Sequence, residues 1–346
     1  MTSLKDYSMN IPEQAYHDYP AWSYSIIAKY AKNGFPALTT LHDKVEPTES
    51  MRFGSLFDTI MTKPEEFDNY AVLSVSVPEA ERKALDYISS KTTLPLSDIS
   101  REDMQNYCTE ASYYAKWGYD AHLSHLLPFE SYYEMKKSGK EIISEKDYQD
   151  AMYMANAIRS NSYLKNIFGT ESTSDIEYLY QLQFVVDYAP DQFSDPVKIK
   201  IMPDLLVVNH KKKEIRPVDL KTSSVPAYQF ADNFLTFRYD IQASLYTDIL
   251  GQVISSTEDY KSYTILPYLF ADISRSDCVP VCYEYNPKAP EQENGFTFSR
   301  NGRSYTYKTW KVLLAEILKY EEENAKVPSY IKTDEPNNLL EIISNQ

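Results

Sequence analysis

Up to about residue 170, apolar positions recur mainly at helical spacing. Beyond about residue 176 they gather into short β-branched runs separated by polar turns. This pattern predicts short helices over 20–34 and 50–63 and a mostly helical stretch over 77–168. Ser144-Glu145-Lys146-Asp147 reads as a helix start, with Tyr148, Met152, Ala155 and Ile158 on its packing face. Strands are predicted over 177–188, 197–208 and 214–221. A helix follows over 232–250, with Asp232 as its N-cap and Gly251 as its terminator. Further strands are expected over 260–271, 279–286 and near 295–299, then a helix over 305–324 and an irregular or loosely docked tail from Val327. The order predicts an α/β fold with a large helical insertion. A single domain is expected over 1–326, with the helical front and insertion at about 11–170, the sheet core at about 171–326, and the tail over 327–346.

Two of these strands form the most informative part of the chain, Ile199 to Thr222. The polar run Asn209-His210-Lys211-Lys212-Lys213 separates them and reads as a hairpin turn. Closing it symmetrically about Lys211 and Lys212 sets Asp204 opposite Asp219, with Cβ atoms roughly 5 Å apart. Like charges at that distance are unfavourable unless a cation lies between them. Lys221, two residues beyond Asp219, points the same way, while Leu220 turns into the core. Two carboxylates and a lysine on one face suit a hard divalent cation beside a positive charge, the outline of a phosphodiester-cleaving site. The alternative is an edge hairpin whose charges face water. On the following helix Tyr239, Gln242 and Tyr246 share a face next to the apolar face of Ile241, Leu245 and Ile249. They could hold a phosphate or nucleotide, or could be ordinary boundary residues.

Composition narrows the classes. The chain has 346 residues, 43% of them hydrophobic, enough for a full core. No apolar run approaches a membrane span, so no membrane partner is expected, and MTSLKDYSMN lacks the pattern of a secretory signal. Three cysteines, an odd number in a long chain, fit a reducing cytoplasm better than a disulfide framework. The 8 glycines form no GxGxxG, phosphate-binding loop or GxSxG elbow, which removes the sequence support for dinucleotide binding, P-loop NTPases and common serine hydrolases. A net charge of −15 argues against a generic duplex binder, although Lys211, Lys212, Lys213 and Arg216 concentrate positive charge locally. A zinc hydrolase using Asp120, His122 and His125 is a rival from another class.

Taken in order, Pro203-Asp204, Asp219-Leu220-Lys221 and Gln242 with Tyr246 resemble the PD, (D/E)xK and QxxxY motifs of the PD-(D/E)XK nuclease superfamily, and within it the RecB-like exonucleases of the exodeoxyribonuclease VIII and phage type. Ala15-Tyr16-His17, Trp22-Ser23-Tyr24-Ser25, Phe53-Gly54-Ser55-Leu56-Phe57-Asp58 and Lys63-Pro64-Glu65-Glu66-Phe67 also follow the family's order, so the likeness spans roughly 11–250. The resemblance implies a restriction-endonuclease-like core, a central mixed sheet flanked by helices. It implies Mg²⁺-dependent hydrolysis of DNA from duplex ends, with Mn²⁺ as a substitute, in recombination, repair or phage DNA processing. Asp204, Asp219 and the Leu220 carbonyl would bind the metal, and Asp58 would add a ligand. Lys221 would act on the attacking water or the developing charge, and Gln242 and Tyr246 would position the strand. DNA is the implied partner, with a single-strand annealing protein and further copies of the chain as candidates, in a bacterial or phage-infected cytoplasm. Asp58 stands where the family usually has histidine. A glutamate common on the strand before the PD motif has no clear counterpart among Glu177, Gln181 and Gln183. A catalytically inactive DNA- or protein-binding module on the same fold is the alternative.

Overall fold

The computed structural model describes residues 3–191, 193–292, 295–322, 331–334 and 339–342. The chain divides into two compact units, one formed by residues 1–48 and 157–346 and the other by the contiguous stretch 49–156. In the first unit, α1 (Glu13–Asp18) and α2 (Tyr24–Asn33) precede the division. The second unit carries α3 (Glu49–Thr62), β1 (Tyr70–Leu73), α4 (Glu79–Lys91), α5 (Arg101–Glu110), α6 (Tyr119–Leu126), α7 (Glu130–Lys137), β2 (Glu141–Ser144) and most of α8 (Glu145–Ser160). Strands β1 and β2 pair in parallel, and Leu85, Ile88, Met104 and Tyr133 lie in the core of this unit. The predicted start of α8 is present: Ser144 Oγ accepts the Asp147 N–H at 3.0 Å and donates to its carboxylate at 2.7 Å.

The first unit resumes with β3 (Ile176–Tyr180), β4 (Phe184–Tyr188), β5 (Val197–Ile201), β6 (Leu205–Asn209) and β7 (Glu214–Ser223). Next come α9 (Phe230–Phe237), α10 (Tyr239–Ser255), β8 (Thr264–Ile265), β9 (Tyr268–Ser274), β10 (Pro280–Tyr285), β11 (Thr297–Arg300), β12 (Arg303–Thr306), α11 (Trp310–Glu322), β13 (Ile331–Asp334) and β14 (Leu339–Ile342). The main sheet runs β10-β9-β7-β6-β3, with β8 also pairing β7. It is mixed: β9 is parallel to β7 and the other neighbours on this path are antiparallel. The fold is therefore α/β, with a mixed sheet flanked by helices. A parallel pair needs a crossover connection. Here α9 and α10 supply it, which lays α10 over the sheet. Its Ile241, Leu245 and Ile249 are at most 1% exposed and pack with Leu206, Val208 and Ile215. Each such burial contributes about 1.5–3 kcal/mol, enough to hold the helix in one place.

Several predicted elements are divided. The expected strands 177–188 and 197–208 each break into two: β4 and β5 form a separate two-stranded sheet, while β3 and β6 join the main one. The breaks fall at Gln181, whose φ is 46°, and at Met202–Asp204, where Pro203 lacks a ladder N–H. The expected helix 232–250 is two helices. Asp232 lies in the first turn of α9 rather than at its N-cap, and Gly251 lies inside α10. Between them Arg238 takes a left-handed conformation (φ 57°, ψ 48°). It is held there by two bonds to the Asp240 carboxylate at 2.8 and 2.9 Å and by the ring of Tyr307. The expected helix 305–324 starts only at Trp310, because 303–306 pairs with 297–300 as a hairpin. In the tail, expected to be irregular, β13 and β14 pair antiparallel.

Candidate active site

The β6–β7 hairpin closes in the predicted register: Leu205 opposes Val218 and Asn209 opposes Glu214. Alternate residues along β7 place Ile215, Pro217, Asp219 and Lys221 on one face, the face covered by α10. The site is where that core face turns polar. Asp204 sits at the bend entering β6, one step past the last paired residue. Its carboxylate accepts the Leu220 N–H at 2.7 Å, and its carbonyl accepts the Gln181 N–H at 3.1 Å.

Asp219 is 1% exposed, and its two oxygens are held differently. Oδ1 accepts the Gln242 side-chain amide and lies 3.5 Å from the Tyr268 hydroxyl, while Oδ2 lies 2.5 Å from the Lys221 ammonium. Lys221 Nζ in turn sits 4.7 Å from the centre of the Tyr239 ring. Burial works against the lysine's charge, but Asp219, Tyr239 and Asp204 outweigh it and hold the ammonium protonated well above the usual lysine range. Tyr246 meets Tyr268 edge-on at 6.3 Å. Burial and the charges of Asp219 and Asp204 push both phenols above the usual tyrosine range, so they are hydrogen-bond donors at any ordinary pH.

The N-terminal segment also reaches this site. Tyr24 donates to the Phe237 carbonyl at 2.6 Å, and burial pushes its phenol above the usual tyrosine range although the charge of Lys221 works against this. The buried Lys200 fixes the segment: its ammonium donates to the carbonyls of Tyr16, His17 and Tyr19 at 2.9, 2.7 and 3.0 Å at the end of α1, where the helix dipole favours a cation.

Of the predicted residues, the structure gathers Asp204, Asp219, Leu220, Lys221, Gln242 and Tyr246. Asp58 is carried by α3 in the second unit, where it is half-buried and its carbonyl accepts the Thr62 hydroxyl at 2.8 Å. Among the three residues weighed for the preceding strand, Gln181 stands beside Asp204. Glu177 is tied to His210 and Ser3, and the side chain of Gln183 brackets the Ile11 backbone. Lys211, Lys212 and Lys213 form an exposed tip at the other end of β7, and Arg216 pairs with Glu284 at 2.6 Å, so these cations do not line the site. The zinc alternative is not assembled: Asp120 pairs with Arg101, His122 is buried against the Tyr114 carbonyl, and His125 packs on Trp117.

Two residues were not anticipated. Tyr268 and Asp272 lie on β9, and Asp272 is paired in register with Lys221. Asp272 is 1% exposed, and among the described residues its Oδ2 has no hydrogen-bond partner. Burial, then the nearby Asp277, raises its pKa to about 7. The period-two placing of Tyr268, Phe270 and Asp272 marked a strand face, but only the parallel pairing with β7 turned that face into part of the site.

Among the described residues no three His, Cys, Asp or Glu side chains gather as a metal cage. The donors present are oxygens: the carboxylates of Asp204 and Asp219, the Leu220 carbonyl, and the buried Gln242 Oε1, which has no hydrogen-bond partner among the described residues. Such a set fits Mg²⁺, which binds through one or two carboxylates and retains water, rather than zinc. No family model matches the chain, and no curated protein matches it. No helix among the described residues is long and apolar enough to cross a membrane.

Proposed function

We propose that the chain is a metal-dependent DNA exonuclease with a PD-(D/E)XK core, acting from duplex ends. The observation that carries this reading is the convergence on Asp219. Lys221 from its own strand and Gln242 from the crossover helix meet it, and Asp204 is tied to the residue between Asp219 and Lys221. Asp204, Asp219 and the Leu220 carbonyl would hold Mg²⁺ or Mn²⁺. When bound, the cation supplies Lewis acidity and lowers the pKa of a coordinated water.

The protein's own groups supply the rest. The Lys221 ammonium is a fixed positive charge beside the carboxylates, placed to orient the attacking water or to stabilise charge developing on the phosphoryl oxygens. Gln242 and Tyr246 offer an amide and a protonated phenol to the strand. Burial of Asp219 and Lys221 raises the electrostatic effect of each, because water screens them little.

Digestion of linear and covalently closed circular DNA, with Mg²⁺ or with chelator, tests the proposal. Linear duplex should be degraded progressively with Mg²⁺ only, more slowly as salt rises, while circles persist. Rapid linearisation of circles would replace the exonuclease with an endonuclease. Failure to cut any form, despite Mn²⁺ binding that Asp219→Asn abolishes, would favour the binding module on the same fold.

A further inference from the structure

An aromatic cavity of about 430 Å³ opens on the same face of the sheet as Asp219. Asp219 pairs with Phe270 on β9, and Phe270 pairs with Tyr283 on β10, so the three side chains form one row across the sheet. Two strand spacings set Tyr283 about 10 Å from Asp219. Phe270 and Tyr283 line the cavity from the sheet, Phe234 from α9, and Phe296 and Phe298 from the segment at β11. The rings are half-buried except Phe270, and those of Phe296 and Phe298 lie nearly parallel, 5.5 Å apart. Tyr239 connects the two places: it stacks on Phe270 and Phe230 and carries the Lys221 ammonium over its ring.

The charge of the lining selects the ligand. Among the described residues that line the cavity there is no lysine or arginine. Its charged members are Asp232 and Glu284, and Glu284 is already paired with Arg216. A phosphate is therefore disfavoured there. A neutral planar ring carrying amine donors matches both the aromatic faces and the acceptor-only carboxylate of Asp232. At a rise of about 3.4 Å per stacked nucleotide, 10 Å spans about three nucleotides, and fewer in an extended strand. We propose that this cavity is a base-stacking subsite that holds a nucleobase of the strand within about three nucleotides of the phosphate bound at Asp219 and Lys221. The proposal rests on the nuclease reading given above.

Duplex oligonucleotides with 2-aminopurine moved one position at a time from the end of one strand test it, using the full chain with Ca²⁺. Quenching should peak at one position within three nucleotides of the end. Phe298→Leu and Phe234→Leu, which keep apolar bulk, should remove that peak and weaken binding about tenfold, while the melting temperature stays near that of the wild type. With Mg²⁺ these variants should raise KM far more than they lower kcat. If both variants keep the quenching profile and affinity while the wild type digests DNA, the subsite falls and the nuclease stands. If the wild type neither binds nor digests any nucleic acid, the functional reading fails first. Stabilisation of the wild type, but not of Phe298→Leu, by tetramethylammonium, with no position-dependent quenching, would overturn the base in favour of a cationic ligand.

Discussion

Replacing Lys221 with methionine keeps most of the length of the side chain and removes its charge, so it separates the two roles proposed for the ammonium. Without metal, Lys221 neutralises Asp219, which is 1% exposed and lies 2.5 Å from its Nζ. Removing one partner of a buried ion pair costs about 3–5 kcal/mol. The Lys221 side chain is 19% exposed, so the lower end, about 3 kcal/mol, applies. At about 2–4 °C per kcal/mol for a unit of this size, Lys221→Met should melt roughly 6–12 °C below the wild type in chelator. A divalent cation takes over the neutralising role. At a hundred times the variant's Kd, binding should add about 2.7 kcal/mol to the variant's own stability in chelator. The variant should bind Mn²⁺ more tightly than the wild type, because no ammonium competes for Asp219 Oδ2, and this excess of affinity narrows the deficit. Cleavage should still fall about a hundredfold or more, since the charge proposed to act on the transition state is gone. Differential scanning calorimetry with and without Mn²⁺, beside a single-turnover cleavage assay, reads all three. A variant as stable as the wild type in chelator, or one whose deficit is unaltered by metal, would refute the idea that the lysine and the cation share one carboxylate. Normal cleavage at saturating metal would refute the role given to the ammonium.

Asp204→Asn and Asp219→Asn should each abolish metal-dependent cleavage while far-UV circular dichroism is preserved; wild-type turnover by either would show that the hairpin is not the site. Asp272 gives a pH prediction. Burial raises its folded-state pKa to about 7, so the folded protein keeps a proton that the unfolded chain releases from about pH 4 upward. Its contribution to stability is therefore fullest below about pH 4, declines up to about pH 7 and is level above. Asp272→Asn removes this loss and should gain roughly 2–4 kcal/mol on the wild type at pH 8, with little difference at pH 4. A variant less stable than the wild type at pH 8 would show that the ionised carboxylate is needed there.

Much of the site can be read from local pattern. A symmetric turn over Lys211 and Lys212, with alternation along each strand, places Asp204 beside Asp219 and turns Lys221 to the same face, because a hairpin's register follows from its turn. Helical periodicity likewise sets Gln242 beside Ile241 and Leu245, so burying the apolar face carries the amide inward. Other features depend on partners distant in the chain. The strands over 177–188 and 197–208 look continuous, yet each is cut where it passes from one sheet to another, and only the neighbours in space determine where. The break at Arg238 needs Asp240 and Tyr307 together to hold a left-handed residue. Tyr268 and Asp272 enter the site through a parallel pairing of β9 with β7, across a connection of two helices whose length carries no register. The chemistry of the hairpin thus belongs to residues close in sequence, where turn and alternation decide. The wall around it, including the aromatic cavity, was decided by packing between elements tens of residues apart, whose side chains acquire their neighbours only when the sheet closes.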